Sequence, residues 1–338
     1  MNKELLLQKL VKKSSPMVPS KTAQKRDTKI ITMDLETILI NNKHIPYLLC
    51  WSDGNISKSY FIDSIVASQP EGKNQHFVEN NIENMISRAM NDICIRKYRN
   101  YRIYLHNFSK FDGYFLVKYL ANIGSVDNLI VNKGKIITLK FTYNNYSITF
   151  RDSYLLLPAS LRKLCKSFNN ETQKDIFPYL FSDINYVGEV PEYRYYNNIS
   201  LEDYNKYKEL YNNKIWNFKE EAIKYCNLDC ISLFEIISKF NTLIFNKFSL
   251  NINNYSTLPS LSFAIFKSRY LKDNTIHMLS GQIAKDIRKS YTGGATDMYI
   301  PLVEKGSKIF RYDFNSLYPY VMQAFKLPIG TPTFLQGI

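Results

Sequence analysis

The sequence has few cysteines and no long apolar run. Its five cysteines are scattered along 338 residues, and no two of them are spaced as C-x-x-C. This distribution excludes a disulfide-stapled module and leaves no zinc-binding pattern. No apolar run approaches the ~20 residues that a bilayer-spanning helix needs, and the mean hydropathy is −0.28. The sequence therefore predicts a soluble intracellular protein whose cysteines are reduced and buried.

Acidic residues are outnumbered by basic ones. The chain has 44 Lys and Arg against 30 Asp and Glu, a net charge of +14. Residues 1–28 hold seven bases against two acids, and residues 96–151 hold ten bases against two acids. Such an excess favours a polyanionic partner, and nucleic acid is the commonest one. A basic surface that is merely solvated is the alternative.

Hydrophobic residues make up 45% of the chain, which is enough for a folded core. Residues 1–28 are polar and basic, which predicts a flexible arm. The following segment, Ile30–Ile38, is apolar enough for a buried central strand. A short strand is predicted over Arg102–Leu105 and a helix over Lys214–Phe248. Strands and helices mix without strict alternation, so we expect a mixed α/β fold with a sheet flanked by helices.

Two carboxylates interrupt the predicted central strand. Because side chains alternate along a strand, Asp34 and Glu36 project from the same face. Carboxylates this close raise one another's pKa unless a cation lies between them. A hard divalent ion with oxygen ligands, Mg²⁺ or Mn²⁺, would resolve the conflict. The alternative is an edge strand with both acids in water.

A third carboxylate, Asp229, lies on the apolar stripe of the predicted helix. Burial of an unpaired carboxylate is unfavourable, so this side chain is expected to meet a cation or several hydrogen-bond donors. Tyr225 lies one turn earlier on the same face, and a hydroxyl and a carboxylate therefore point into one site. The same spacing occurs at Tyr179 and Asp183, but it lies there in a proline-flanked loop without a helical stripe, and we set it aside.

A fourth carboxylate, Asp112, follows a predicted strand end and a tight turn. It could serve a reaction there, or it could simply cap or begin the next helix. Asp152 follows another predicted strand, but it has no partner at a fixed spacing. With the three carboxylates above, Asp112 completes a set of four, which is enough for two metal ions of the kind that hydrolyse phosphodiesters.

Three short motifs follow one another in the chain: D-L-E-T at residues 34–37, N-x-x-x-F-D at residues 107–112 and Y-x-x-x-D at residues 225–229. In this order they resemble the exonuclease motifs of the proofreading domain of family B DNA polymerases. The resemblance implies an RNase H-like 3′-5′ exonuclease that uses two Mg²⁺ or Mn²⁺ ions. The implied metal ligands are Asp34, Glu36, Asp112 and Asp229, the residue that orients the attacking water is Tyr225, and the contacts to the 3′ end of single-stranded DNA are Thr37, Asn107 and Phe111.

Two further segments are similar to motifs of the protein-primed branch of this family. Ser160 and Leu161 begin the stretch S-L-R-K-L, which resembles a motif that binds the same single strand. Lys174 begins the stretch K-D-I-F, which resembles a motif with a catalytic lysine. The resemblance therefore adds Ser160 and Leu161 to the DNA contacts and Lys174 to the catalytic residues.

Two more motifs distinguish a polymerase from a free-standing exonuclease. Y-T-G-G at residues 291–294 resembles the segment that joins the exonuclease and polymerase domains and contacts the template. D-F-N-S-L-Y-P at residues 313–319 matches polymerase motif A, the most specific signal in the chain. The resemblance assigns Tyr291, Gly293 and Gly294 to DNA, Ser316, Leu317 and Tyr318 to the incoming nucleotide, and Asp313 to the catalytic metal ions.

The motifs also divide the chain. We expect a flexible basic arm over residues 1–28, the exonuclease domain over residues 29–250, and a linker with the beginning of the polymerase palm over residues 251–338. The first palm strand is predicted at Lys308–Phe314. The patterns K-x-x-x-N-S-x-Y-G and D-T-D, which complete the polymerase site in this family, do not occur. We therefore expect no nucleotide incorporation by this chain alone.

The resemblance implies partners and a location as well. The partners are single-stranded 3′ ends, template-primer DNA, a terminal protein primer and, in a full-length enzyme, dNTPs, with no membrane contact. The similarity to polymerases of linear mitochondrial plasmids implies a mitochondrial location. Two alternatives stay open: a free-standing exonuclease on DNA or RNA, and an inactive DNA-binding remnant.

Overall fold

A computed structural model describes residues 15–23, 25–62, 73–170, 176–197, 199–289, 291–294, 297 and 299–327. The chain divides into two compact units. The larger unit is Thr22–Phe263, and the smaller one combines Met1–Lys21 with Ala264–Ile338. None of the helices in the described ranges is long and apolar enough to cross a bilayer.

The regular elements are numbered in chain order. The strands are β1 (Ser15–Pro16), β2 (Ile30–Ile40), β3 (Lys43–Ser52), β4 (Ser57–Phe61), β5 (Arg102–Leu105), β6 (Ser125–Asn132), β7 (Lys135–Tyr143), β8 (Tyr146–Asp152), β9 (Val187–Gly188), β10 (Trp216–Asn217) and β11 (His277–Met278). The helices are α1 (Lys73–Ile93), α2 (Asp112–Ile123), α3 (Leu161–Ser167), α4 (Leu201–Glu209), α5 (Phe218–Phe248), α6 (Leu258–Arg269), α7 (Gly281–Lys289) and α8 (Leu317–Ala324).

One seven-stranded sheet forms the larger unit, in the spatial order β4-β3-β2-β5-β8-β7-β6. β2 runs parallel to β5 and β5 runs parallel to β8, whereas the other neighbouring pairs are antiparallel. The mixed α/β class predicted from the sequence is confirmed.

The central strand β2 has two different faces. Ile31 and Met33 point to one face and are fully buried in the core. Thr32 lies on the other face, and its hydroxyl donates a hydrogen bond to the carbonyl of Cys230 at 2.7 Å. This contact fixes α5 across β2. The helix begins after Asn217, whose side chain accepts the N–H of Glu220 at 3.3 Å and so satisfies one of its free donors.

Ala23 and Asp27, in the segment predicted as an arm over residues 1–28, are hydrogen-bonded to distant residues of the larger unit. The N–H of Ala23 donates to the carbonyl of Ser249 at 2.8 Å. The N–H of Asp27 donates to the side chain of Asn251 at 2.6 Å. Sequence composition could not show this, because the partners lie more than two hundred residues further along the chain.

In the smaller unit, β1 pairs antiparallel with β11, with Ser15 opposite Met278. Within residues 299–327 the regular structure is α8, and the side chains of this range are exposed. The strand predicted over Lys308–Phe314 is wrong. A strand needs a neighbour to complete its hydrogen bonds, and none of the described strands pairs with this segment.

Candidate active site

β2 supplies the floor of the candidate site. Asp34 lies opposite Cys50 of β3, and Glu36 lies opposite Leu48, on the face that α5 covers. Both carboxylates keep part of their surface exposed. Because β2 lies between β3 and β5 in the middle of the sheet, the alternative of an edge strand with two solvated acids is wrong.

α5 supplies the opposite wall. Tyr225 and Asp229 are 2% and 6% exposed, so both polar side chains lie in the protein interior. Cys226, between them, brings its Sγ to 3.8 Å from the backbone carbonyl of Asp34. The helical stripe predicted from the sequence therefore faces the two carboxylates of β2.

The turn after β5 supplies the third wall. Asp112 is the first residue of α2 and Phe111 occupies the N-cap position, so Asp112 begins the helix and does not cap it. Asp112 is only 3% exposed. A Cβ on Gly113 would lie 2.7 Å from the carbonyl oxygen of Phe108. Glycine is thus required for the close packing of this helix against the turn.

One cleft joins these three walls. The predicted residues that line it are Asp34, Glu36, Asn107, Phe111, Asp112, Leu161 and Asp229, and other lining residues are Met33, Leu35, His106, Tyr179 and Leu233. All four predicted carboxylates are therefore gathered at one place, although they lie almost two hundred residues apart in the chain. The sequence spacing alone could not show this proximity.

The electrostatics of the cleft favour a cation. Burial raises the pKa of the Asp112 carboxyl well above its ordinary value, and the negative charge of Asp34 raises it further. The carboxylate oxygens of Asp34 and Glu36 lie, with Cys226 Sγ, within 4.8 Å of one another. A divalent ion with oxygen ligands would remove the repulsion and let Asp112 ionise. The donor set therefore fits Mg²⁺ or Mn²⁺.

Tyr225 is buried beside the cleft, next to Tyr179, which lines it. Burial raises the pKa of its phenol far above the ordinary value, and the charge of Asp229 adds to this. The hydroxyl is hydrogen-bonded to the hydroxyl of Tyr179, and the two rings meet edge to face with centroids 5.6 Å apart. The phenol therefore stays protonated, and Tyr179 holds it in place.

Sequence reasoning missed Tyr179. Its spacing to Asp183 was the wrong signal, because Asp183 is exposed in a loop. No local pattern marks Tyr179, because its place depends on a tertiary contact: Phe177, two residues earlier, packs against Tyr225 with ring centroids 5.4 Å apart. His106 was also missed: its Nδ1 is hydrogen-bonded to Ser153 Oγ at 2.9 Å, and its ring lines the cleft.

Of the remaining predicted residues of the larger unit, Thr37 and Ser160 each adjoin in sequence a residue that lines the cleft, Glu36 and Leu161. Thr37 follows a β-bulge, and its hydroxyl is hydrogen-bonded to His44 Nδ1 at 3.0 Å. Ser160 caps α3 by accepting the N–H of Lys163 at 3.4 Å, and Leu161 lies on the cleft wall. Lys174 lies outside the described residues.

The residues of the two polymerase motifs lie in the smaller unit and are exposed. Tyr291 is 77% exposed and Tyr318 is 66% exposed. A Cβ on Gly294 would lie 3.3 Å from the hydroxyl of Tyr318, so the two motifs approach each other there. Ser316 has a φ of +56° and precedes α8, which begins at Leu317. The predicted residues of this group are Tyr291, Gly293, Gly294, Asp313, Ser316, Leu317 and Tyr318, and in the described ranges Asp313 belongs to no cluster of potential metal ligands.

Comparison with known proteins identifies the family. A sequence model of the family described as DNA polymerase type B, organellar and viral, matches residues 92–338. The chain belongs to this family. The probable DNA polymerase of Neurospora intermedia is 37% identical over 332 residues, which cover 91% of this chain and 33% of the relative. The probable DNA polymerase of Ascobolus immersus is 34% identical over 326 residues, which cover 91% of this chain and 25% of the relative.

This type B polymerase chain thus spans about a third or less of the length of these curated relatives. Among solved structures, phi29 DNA polymerase complexed with single-stranded DNA is similar with a TM-score of 0.47 and 17% identity, covering 80% of this chain and 40% of that chain. The family predicted from the acidic motifs and motif A is confirmed.

Proposed function

We propose that this chain is the amino-terminal part of a protein-primed type B DNA polymerase and that its domain over residues 29–250 removes nucleotides from the 3′ end of DNA. The observation that carries the proposal is the meeting of four carboxylates from β2, α2 and α5 in one cleft. Family membership supports it, since the chain matches DNA polymerases of organelles and viruses.

The chemistry needs two divalent ions, Mg²⁺ or Mn²⁺, with Asp34, Glu36, Asp112 and Asp229 as ligands. When bound, such ions polarise the phosphate, lower the pKa of a water molecule and stabilise the leaving oxygen. The carboxylates lie in a partly buried cleft, where they attract a cation more strongly than they would in water.

The other cleft residues bind and orient the reactants. The protonated hydroxyl of Tyr225, fixed by Tyr179, donates a hydrogen bond to the attacking water. Asn107 and the ring of Phe111 contact the last nucleotides, because an aromatic face stacks on any base. Thr37, Ser160 and Leu161 extend this contact along the single strand, and Lys174 is proposed to act beside them.

Residues 251–338 are proposed to form a linker and the beginning of the polymerase domain. Asp313 would hold catalytic metal ions, Ser316, Leu317 and Tyr318 would contact the incoming dNTP, and Tyr291, Gly293 and Gly294 would contact the template. Template-primer DNA, dNTPs and a terminal protein primer are proposed as partners of the whole polymerase. The organellar and viral family supports a mitochondrial location.

The test is degradation of a 5′-labelled single-stranded DNA oligonucleotide in Mg²⁺. We expect a ladder that shortens from the 3′ end with the wild-type chain and no ladder with Asp34→Ala plus Glu36→Ala. The matched control is Asp183→Ala plus Glu192→Ala, which changes two exposed carboxylates and should leave the ladder unchanged.

Three results would contradict the proposal. Persistence of the ladder in the Asp34→Ala plus Glu36→Ala variant would show that these two carboxylates do not hold the catalytic metal ions. Cleavage of RNA with none of DNA would indicate a free-standing ribonuclease. Salt-sensitive DNA binding without any hydrolysis by the folded wild-type chain would indicate a binding remnant.

A further inference from the structure

A buried thiol adjoins the carboxylates of the candidate site. Cys226 is 0% exposed, and its Sγ lies within 4.8 Å of carboxylate oxygens of both Asp34 and Glu36. Its thiol also contacts the thiols of Cys50 and Cys230, and Cys230 donates a hydrogen bond to the carbonyl of Cys50 at 3.4 Å. Two carboxylates and three thiols therefore meet beneath the cleft.

A thiol changes which metal ion such a site prefers. Carboxylate oxygens alone suit Mg²⁺ and Mn²⁺, whereas a thiolate favours Zn²⁺ and its heavier analogue Cd²⁺. Zn–S bonds are ~2.3 Å long and Zn–O bonds ~2.0–2.2 Å, so ligand atoms around one ion are about 3.5–4 Å apart. The ligand atoms of Asp34, Glu36 and Cys226 lie within 4.8 Å of one another, which is close to this spacing.

We propose that Asp34, Glu36 and Cys226 form a site for a thiophilic divalent ion, Zn²⁺ or Cd²⁺. Binding replaces the S–H bond of Cys226 by a sulfur–metal bond and releases one proton to solvent. Cys50 and Cys230 lie behind this ligand and hold its side chain toward the carboxylates. Because the ion uses two ligands assigned to Mg²⁺, it competes with Mg²⁺, and this last step rests on the proposed nuclease function.

The test is a titration of the metal-free full chain with Cd²⁺, followed by the ultraviolet charge-transfer band of a cadmium–thiolate bond. We expect the wild-type chain and the control Cys94→Ser to show the band, because Cys94 is a buried cysteine outside the ligand group that holds Cys226. Cys226→Ser should lose it. Asp34→Asn plus Glu36→Gln should keep the band but bind Cd²⁺ at least about tenfold more weakly, since even outer-shell partners contribute about 10–100-fold to metal affinity.

Persistence of the band in Cys226→Ser, or unchanged affinity in the carboxylate variant, would overturn the proposal. Cadmium NMR of the wild-type chain tests the proposed ligands even where a variant does not fold. We expect a signal typical of one sulfur ligand among oxygens. A signal typical of several sulfur ligands would overturn the proposal. The nuclease assay separates the two proposals. Cd²⁺ binding without Mg²⁺-dependent hydrolysis would refute the function alone, and hydrolysis without the band would refute this site alone.

Discussion

Asp152 holds the backbone of Asn107: its Oδ1 accepts the N–H of Asn107 at 3.0 Å. The second carboxylate oxygen accepts the N–H of Ser109 at 2.9 Å. Asp152 is fully buried and ends β8, next to β5, so this bond joins two neighbouring strand ends. Asn107 has a φ of +74°, in the left-handed region that is unfavourable for most residues. The carboxylate therefore stabilises the turn that leads to Asp112.

We expect Asp152→Asn to weaken both the fold and the reaction. The new amide group would face a backbone N–H, so a buried donor would lose its acceptor at a cost of ~1–3 kcal/mol. Urea unfolding measures this loss, and single-turnover hydrolysis should slow while the affinity for single-stranded DNA changes less. Asp183→Asn, on an exposed loop, is the control. An unchanged free energy of unfolding in Asp152→Asn would show that the turn does not need the carboxylate.

The hydrogen-bonded hydroxyls of Tyr225 and Tyr179 are expected to contribute unequally to hydrolysis. Tyr225→Phe removes only the buried hydroxyl that is proposed to orient the attacking water, and we expect single-turnover hydrolysis to slow by about 10²-fold at unchanged DNA affinity. Tyr179→Phe should slow it less, because its hydroxyl acts through Tyr225. Tyr193→Phe is the control, since this residue is 40% exposed. A larger effect of Tyr179→Phe than of Tyr225→Phe would reverse the two roles.

Lys110 is expected to contribute to the salt dependence of DNA binding. It is exposed in the turn of the candidate site, and its N–H donates to the carbonyl of Asn107 at 3.1 Å. If its ammonium contacts one phosphate, Lys110→Ala should reduce the slope of log affinity against log salt by ~0.7. Fluorescence anisotropy of a labelled oligonucleotide over a salt series measures the slope. Lys206→Ala, an exposed lysine paired with Glu202 at 2.6 Å, is the control, and equal slopes in all three proteins would exclude the contact.

The sequence was most informative where burial determines structure. The apolar run Ile30–Ile38 predicted the central strand, observed as Ile30–Ile40, because only a fully buried strand carries so many aliphatic residues. Arg102–Leu105 was predicted with its observed bounds. β6, Ser125–Asn132, was not predicted, because it is an exposed outer strand without an alternating pattern. Its position depends on pairing with β7, a tertiary contact that a local pattern does not contain.

For the site, the functional residues could be predicted from the sequence, but the residues that hold them in position could not. A carboxylate on a buried strand or an apolar helix face conflicts with its surroundings, and this conflict marked Asp34 and Asp229. Asp152 showed no such signal, because its partners are backbone N–H groups of a distant turn. Cys226 looked like an ordinary core residue, and only the packing of α5 on β2 brings its sulfur to the carboxylates.

The hydrogen bonds around Asp53 in the larger unit indicate how the free energy of unfolding changes in acid. Asp53 accepts hydrogen bonds from Lys97 Nζ at 2.8 Å and the N–H of Ile56 at 2.8 Å, and from the hydroxyl of Tyr98 at 2.8 Å. Burial raises the pKa of Asp53, but these bonds, first that of Lys97, together lower it below the ordinary 3.8.

Because the folded-state pKa lies below the unfolded one, the unfolded chain binds more protons as the pH falls below the unfolded pKa of about 4. The stabilisation by Asp53 is therefore complete at neutral pH and is lost as the pH falls through the folded-state pKa. We expect Asp53→Asn to lower the free energy of unfolding by ~1–3 kcal/mol at neutral pH and by progressively less in acid. Urea unfolding of both proteins between neutral pH and about pH 2 measures the difference, and a difference that stays constant over this range would show that the ionised carboxylate contributes nothing.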